Sequence, residues 1–273
     1  MFNADNYPII DDTNFADVVQ SGIEGGMGTG YDTANAMPFG TVANAAKITR
    51  IREADYAEHI ARQDRDESSP FHWFRRFNVA ILNQGSWGYC WMYGLVGAIQ
   101  CRYAMAGHNP PHLNAHYPAW LGKRGANRGG WAGEALPYIE QWGVPEIGVF
   151  PGHPSNRAAF ERGEVKASAE LTKVVEFSEL PRNDLNALCS VLLDPINPRP
   201  VTMGLNWWGH LVYAIKVTSR GILIANSWGS NWGEQGLSVL AWNKSVAFEQ
   251  IAVERVKPRQ SGDARHESLR LAV

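Results

Sequence analysis

The sequence has 273 residues, 45% of them hydrophobic, and a net charge of −2. This length and composition predict a sizeable core, and one catalytic unit of about 200 residues with extensions fits better than two full domains. The near-neutral charge gives no electrostatic case for binding nucleic acid or a membrane surface. No apolar run approaches the roughly 18 residues that a membrane span requires.

The first 46 residues are rich in Gly, Asn, Ala and Asp. Residues 1–6 lack the basic and apolar regions of a signal peptide. The glycine-rich run at 25–30 superficially resembles a phosphate-binding loop, but no Gly-Lys-Ser/Thr follows it and no predicted strand precedes it. We therefore expect a flexible or partner-held loop there, followed by a charged helix over residues 47–66.

Residues 84–91 read Gln-Gly-Ser-Trp-Gly-Tyr-Cys-Trp and place Cys90 after a glycine-rich turn. Apolar residues then recur at three- and four-residue steps, which predicts a helix over about 90–106 with one buried face. The start of a helix favours an anion, so the Cys90 thiol should ionise more readily than an ordinary thiol. Gln84, six positions earlier, could join the Cys90 N–H in a two-donor oxyanion hole. Taken alone, the stretch fits a buried structural cysteine equally well.

Two apolar runs near the C-terminus, at 208–215 and 222–234, predict strands joined by a turn at 219–221. They place His210 and Asn226 within reach of each other across a hairpin. A cysteine, a histidine that takes its proton and an asparagine that orients the imidazole form a nucleophile–base–orienter set.

Three stretches now match one family in order and internal spacing: Gln-Gly-Ser-x-Gly-x-Cys-Trp, the Gly-His strand and Asn-Ser-Trp-Gly-x-x-Trp-Gly-Glu. The chain resembles the papain-like cysteine peptidases over roughly residues 71–240. The resemblance implies a role for each matched residue: Cys90 as nucleophile, His210 as base, Asn226 as orienter, Gln84 as oxyanion donor, Trp228 as shield of the Asn–His hydrogen bond, and Trp232 as wall of the leaving-group side.

The segment Gly129-Gly130-Trp131 matches the family's glycine pair, and the resemblance implies that it binds substrate together with Leu211 beside the base. Glycines there let a bound peptide approach the backbone and pair with it as an extra strand. Without the family context, an ordinary turn before a helix at 132–142 is the simpler interpretation.

Other elements are predicted from local pattern. His108, His112 and His116 have the spacing of helical metal ligands, but prolines interrupt that helix, so surface or packing roles are favoured. Residues 143–180 are rich in loops with strand-like material at 165–177, a short helix covers 184–193, and a buried strand covers 200–205. The link from that strand to His210 is shorter than in typical family members, so the leaving-group side of the cleft should differ.

The three cysteines are Cys90, Cys101 and Cys189. Secreted members of the resembling family usually join a cysteine three positions before the nucleophile to one just before the glycine pair. Trp87 and Asn127 occupy those places here. The absence of both of these cysteines predicts folding in a reducing compartment. We therefore expect the protein to be cytoplasmic or virion-associated.

These observations predict an α+β fold with two lobes and a cleft between them. The left lobe is helical and led by the Cys90 helix, and the right lobe is an antiparallel, barrel-like sheet that carries the base and the orienter. The expected units are an N-terminal extension at 1–70, either an attachment arm or a vestigial propeptide, a peptidase domain at 71–256 and a tail at 257–273.

The predicted function is hydrolysis of peptide or protein substrates by a cysteine-type endopeptidase that requires no metal or organic cofactor. The alternative is a structural or assembly subunit of a larger particle, for example a phage virion, that keeps this fold. In that case the extension and the tail would serve as attachment segments. Both are too polar and glycine-rich to build a core of their own, and the first 46 residues lack a hydrophobic pattern that could fill a cleft.

Overall fold

The computed structural model describes residues 6–41, 43–173 and 175–257. The helices within these ranges are α1 Phe15–Glu24, α2 Tyr56–Asp66, α3 Pro70–Arg76, α4 Cys90–Met105, α5 His116–Gly122, α6 Ala132–Trp142, α7 Arg157–Glu161, α8 Gly163–Glu170 and α9 Leu185–Leu192. No helix in the described ranges is long and apolar enough to cross a membrane.

The strands within the same ranges are β1 Ile9–Ile10, β2 Asn44–Ala45, β3 Val175–Glu179, β4 Val201–Leu205, β5 His210–Thr218, β6 Gly221–Ala225, β7 Leu237–Ala241 and β8 Glu249–Val256. They form one sheet in the order β1-β7-β6-β5-β4-β8-β3-β2. Its six inner strands are antiparallel, and the two short outer strands pair in parallel. The α+β architecture with a helical side and an antiparallel sheet is therefore confirmed.

Helix α4 lies between the other helices and the sheet. The prediction of one buried face was wrong, because helices cover one side of α4 and strands β5 and β8 cover the other. Gly94 and Gly97 make this close contact possible. A Cβ at these positions would lie 2.3 Å from the Leu211 side chain and 2.4 Å from the Tyr213 ring, respectively. The close packing sets the start of α4 directly against the start of β5.

The N-terminal extension is built into the sheet at both of its ends. Strand β1 pairs with β7, and β2 pairs with β3. The buried Lys216 of β5 forms an ion pair with Asp64 of α2, and Gln63 Nε2 donates to the Leu192 carbonyl at 2.7 Å. These contacts fix the extension to both ends of the sheet and, through α2, to β5 and the end of α9.

Two predicted elements differ from the structure. The charged helix was expected over 47–66, but the helical residues are a short 3-10 turn at Glu53–Asp55 and α2, because residues 47–52 run without helical hydrogen bonds towards α9. The strand-like stretch at 165–177 instead contains most of α8 and the start of β3. The predicted tail lies outside the described residues beyond position 257.

Candidate active site

The candidate nucleophile is the first residue of α4 and has no solvent exposure. Backbone N–H groups of Leu211, Trp91 and Gly30 lie around the Cys90 thiol and favour its anionic form. The Leu211 N–H lies next to the thiol, and Leu211 directly follows His210. The candidate nucleophile and the candidate base are therefore close together, between the two lobes.

The candidate base and its orienter meet at the ends of two paired strands. Tyr213 of β5 lies opposite Ala225 of β6, so Asn226 lies one step beyond, on the way towards His210. His210 Nε2 lies 2.7 Å from Asn226 Oδ1, and the same oxygen accepts the Ser227 N–H. Since that oxygen is an acceptor, Nε2 carries the proton and Nδ1 keeps a lone pair. Nδ1 is buried and has no hydrogen-bond partner among the described residues, as a general base awaiting the thiol proton requires.

Tryptophans cover the pair of base and orienter. The Trp228 ring lies 4.8 Å from the His210 ring, and Trp208 lies 5.0 Å from it on another side. Trp232 packs against both tryptophans at about 6 Å between ring centres. The Trp228 ring thus lies against the base of the pair, and its role in shielding the hydrogen bond between His210 and Asn226 stays a prediction.

Gln84 is buried, and its side chain points at a peptide carbonyl. Its Nε2 donates to the Gly28 oxygen at 3.0 Å and to the Trp87 oxygen at 2.7 Å, while its Oε1 accepts from the Ser227 hydroxyl. The Gln84 N–H donates to the Ser227 carbonyl at 2.9 Å. Two hydrogen bonds thus join Gln84 to Ser227, the residue after Asn226. They hold the side-chain amide of Gln84 with its Nε2 free to donate towards the cleft.

The peptide that Gln84 contacts belongs to the chain itself. Residues 28–32, here called the cover segment, pass through the cleft between the two lobes. Gly28 O also accepts from Trp228 Nε1 at 3.1 Å. The N–H groups of Gly30 and Tyr31 both donate to the carbonyl of Gly209, the residue before the base. The cover segment therefore occupies the hydrogen-bonding groups that a bound peptide would need.

The glycine pair binds the other side of the cover segment. Gly130 N–H donates to the Gly30 oxygen at 2.9 Å, and the Asp32 N–H donates to the Gly130 oxygen at 2.9 Å. A Cβ at Gly129 would lie 2.6 Å from the Gly30 oxygen, so a glycine is required for this approach. Gly130 thus pairs in parallel with a segment of the chain itself, and the role of Gly129 and Gly130 in substrate binding stays a prediction.

The two other predicted substrate residues lie deeper. Trp131 is buried, and its ring packs against Gly133 in the first turn of α6. The Leu211 side chain is fully buried against Gly94, and only its backbone N–H faces the thiol. Their contribution to substrate binding stays a prediction.

The histidine series at 108–116 does not lie on one helix. His116 begins α5 and is buried, with Nε2 2.9 Å from the Pro154 carbonyl. Within the described ranges, no group of three or more His, Cys, Asp or Glu side chains is arranged to hold a metal ion.

Comparison with known proteins places this geometry in context. Cathepsin L 2 of Paramecium tetraurelia is 27% identical over 185 residues, covering 58% of this chain and 54% of that protein. Papain of Carica papaya is 25% identical over 204 residues, covering 67% of this chain and 58% of papain. The chain thus spans under two thirds of the length of these curated relatives. No family model matches it.

Solved structures of cysteine proteases are similar to this chain in fold. Xylellain, a cysteine protease from Xylella fastidiosa, superposes with a TM-score of 0.57 at 16% identity, covering 84% of this chain and 97% of xylellain. The chain has the papain-like fold. In sequence and fold the chain is thus a papain-like cysteine peptidase, a hydrolase.

Burial changes the titration expected for Cys90 and His210. Burial raises the pKa of the Cys90 thiol to about 12, against the surrounding N–H groups that favour the thiolate. Burial also lowers the pKa of His210 to about 4, against the Asn226 hydrogen bond that favours the imidazolium. The predicted easily ionised thiol is therefore wrong for the covered cleft, because exclusion of water outweighs the effect of the helix start.

The part of the site that the sequence reasoning missed is the cover segment. We expected that the extension could not fill a cleft because it lacks a pattern of apolar side chains. The segment fills the cleft mainly with backbone: a Cβ at Gly28 would lie 2.2 Å from the Trp87 oxygen, and one at Gly30 would lie 2.3 Å from the Gly88 oxygen. The glycine-rich run at 25–30 was the available signal, because glycines mark places where backbone approaches backbone.

Proposed function

We propose that the chain is a cysteine-type peptidase in which Cys90 is the nucleophile, His210 the base and Asn226 the orienter. The observation that carries this proposal is the His210–Asn226 hydrogen bond, which leaves Nδ1 unpartnered, while the N–H of the next residue, Leu211, lies at the Cys90 thiol. A proton acceptor fixed in this tautomer beside a thiol is the arrangement that nucleophilic cysteine catalysis needs.

The proposed reaction proceeds in two halves. The Cys90 sulfur transfers its proton to His210 Nδ1 and attacks the peptide carbonyl, forming a C–S bond and an oxyanion that Gln84 Nε2 stabilises. The oxyanion collapses, the C–N bond breaks, and His210 returns the proton to the leaving amine. Water, deprotonated by His210, then attacks the thioester and releases the carboxylic acid and the thiol. The leaving-group side would be lined by Trp228 and Trp232.

The cover segment must leave the cleft before a substrate can enter, since both use Gly130, Gly209 and Gln84. The covered arrangement is therefore a resting state in this proposal. Sequestering a peptidase site by the chain's own N-terminal residues agrees with the propeptide interpretation of the extension rather than with a freely projecting arm.

The test is hydrolysis of a fluorogenic peptide by the full chain and by its Tyr31→Ala variant, which weakens the cover, with Cys90→Ala as the control in both backgrounds. We expect turnover in the Tyr31→Ala protein that is lost when Cys90 is replaced. Turnover that survives Cys90→Ala, or no turnover of any peptide after the cover is weakened, would contradict the proposal. The alternative of an assembly subunit predicts instead that Cys90→Ala leaves the protein's biological role and its sedimentation with a larger particle unchanged.

A further inference from the structure

The peptide group that joins Trp87 to Gly88 lies between the candidate oxyanion donor and the loop that precedes the glycine pair. Its carbonyl oxygen accepts a hydrogen bond from Gln84 Nε2 at 2.7 Å. Its N–H donates to Asn127 Oδ1 at 2.6 Å. Both polar ends of this one peptide group are therefore held by side-chain amides, Gln84 on the carbonyl side and Asn127 on the N–H side.

Asn127 holds the turn before the nucleophile at two points. Besides accepting the Gly88 N–H, it donates through Nδ2 to the Ser86 carbonyl at 3.3 Å. The Tyr89 hydroxyl joins the same two segments, because it donates to the Ala126 carbonyl at 2.8 Å. The turn that leads into α4 is thus fastened to the loop that leads into the glycine pair.

The peptide group transmits this restraint to Gln84. A trans peptide group is planar and rigid, so its N–H and its C=O point in opposite directions. An acceptor that fixes the Gly88 N–H therefore also fixes the direction of the Trp87 carbonyl. Gln84 Nε2 carries two hydrogens, and this carbonyl holds one of them. The other is directed at the Gly28 oxygen of the cover segment, 3.0 Å away.

The oxygen of the Gln84 amide is fixed separately, because Oε1 accepts from the Ser227 hydroxyl. With Oε1 and one Nε2 hydrogen held by the protein, the second Nε2 hydrogen is the one that an oxyanion can use. Hydrogen bonds in such a chain polarise one another, so losing the bond to Asn127 weakens the next bond, from Gln84 to the Trp87 carbonyl.

Asn127 can be replaced without disturbing the core. It is an exposed residue, whereas Gln84 has no solvent exposure. Glycine is required at position 88, because a Cβ there would lie 2.8 Å from the Thr29 oxygen and 3.3 Å from Asn127 Oδ1. Variants of Asn127 therefore test the hydrogen bond to the peptide group rather than the packing of the fold.

We propose that Asn127 is a positioning residue that orients the Gln84 side chain as oxyanion donor through the peptide group between Trp87 and Gly88. The catalytic consequence rests on the proposed function, whereas the orientation of Gln84 can be measured without turnover. Asn127→Ala removes the acceptor of the Gly88 N–H, and Asn127→Asp keeps an oxygen acceptor there. Arg128→Ala alters the exposed next residue of the same loop and is the matched control.

The first measurement is the 1H–15N NMR spectrum of the full chain, in which the Gln84 side-chain signals are assigned by their loss in Gln84→Ala. The two Nε2 hydrogens have different acceptors and should give two separate signals. Asn127→Ala should shift the signal of the hydrogen that the Trp87 carbonyl holds, and Arg128→Ala should leave both signals in place. Gln84 signals that are the same in Asn127→Ala and in the unaltered chain would overturn the inference.

The second measurement is turnover of a fluorogenic peptide in the Tyr31→Ala background. Asn127→Ala should lower kcat about tenfold and leave KM nearly unchanged, because the oxyanion forms only after substrate has bound. Asn127→Asp should restore most of this loss. Alkylation of Cys90 by iodoacetamide forms no oxyanion, so Asn127→Ala should not slow it. Alkylation that slows as much as kcat would show a collapsed turn instead and overturn the inference.

A double-mutant cycle tests whether Asn127 acts through Gln84. Gln84→Ala should lower kcat about 100-fold, and adding Asn127→Ala should cause no further loss. Additive losses would overturn the inference. A shifted Gln84 signal without Cys90-dependent turnover in the Tyr31→Ala background would support the positioning and defeat the peptidase proposal. Cys90-dependent turnover that is the same with and without Asn127→Ala would defeat the positioning alone.

Discussion

Truncation of Tyr31 is the most informative perturbation of the covered cleft. Replacing a buried aromatic side chain with alanine removes about 3 kcal/mol or more of packing energy. The hydrogen bonds of the cover segment to Gly209, Gly130 and Gln84 are made by backbone groups of the segment, so Tyr31→Ala leaves them intact. The variant should therefore weaken the covered state by the side-chain contribution alone, which corresponds to about a 100-fold larger open fraction.

The assay compares second-order rates of Cys90 alkylation by iodoacetamide, together with fluorogenic peptide turnover, in the wild-type chain and the variant. We expect both rates to rise by up to about 100-fold in Tyr31→Ala, with a lower gain if the wild-type chain is already partly open. Tyr31→Phe keeps the ring and should raise them by less than about tenfold. Phe39→Ala, at a 41% exposed position of the same extension, should leave them unchanged. Equal alkylation of wild type and Tyr31→Ala would mean that the Tyr31 side chain does not keep the cleft covered.

Three further predictions concern the site and the fold. His210→Ala should reduce turnover more than Asn226→Ala, because the base survives the second change; the reverse order in kcat would contradict the assigned roles. Asp64→Ala should lower the free energy of unfolding by about 3 kcal/mol, because Lys216 stays buried without its carboxylate; a urea titration that shows less than 1 kcal/mol would mean that α2 does not anchor the extension. Dithiothreitol should not lower Tm, since all three cysteines are free thiols; a fall of several degrees would reveal a disulfide.

The positions of the candidate catalytic residues were predictable from the sequence because these residues lie in short, ordered patterns. A helix start fixes Cys90, and a two-strand hairpin brings His210 to Asn226 with few degrees of freedom between them. The structure adds the tautomer of the imidazole and the tryptophan cover. The α+β class followed from the same local patterns, although α8 was hidden in a stretch with strand-like composition.

The cover segment was not predictable from periodicity, because it fills the cleft through hydrogen bonds of its backbone rather than through an apolar pattern. Its partners lie about 60 to 180 positions away in sequence, at Gly85, Gly130 and Gly209. The pKa of Cys90 was misjudged because the sequence does not reveal how completely the thiol is buried. Burial raises the pKa of this thiol by more than the surrounding N–H groups lower it.

The proposed function requires that Cys90 is a nucleophile activated by His210. It is tested most directly by labelling the Tyr31→Ala protein with iodoacetamide at pH 6 and mapping the modified cysteine by mass spectrometry, with Tyr31→Ala/His210→Ala as the matched control. We predict that Cys90 is modified much faster than Cys101 or Cys189, which are buried thiols without a neighbouring base, and that His210→Ala removes this advantage. Equal labelling of the three cysteines, or no labelling of Cys90, would contradict the account.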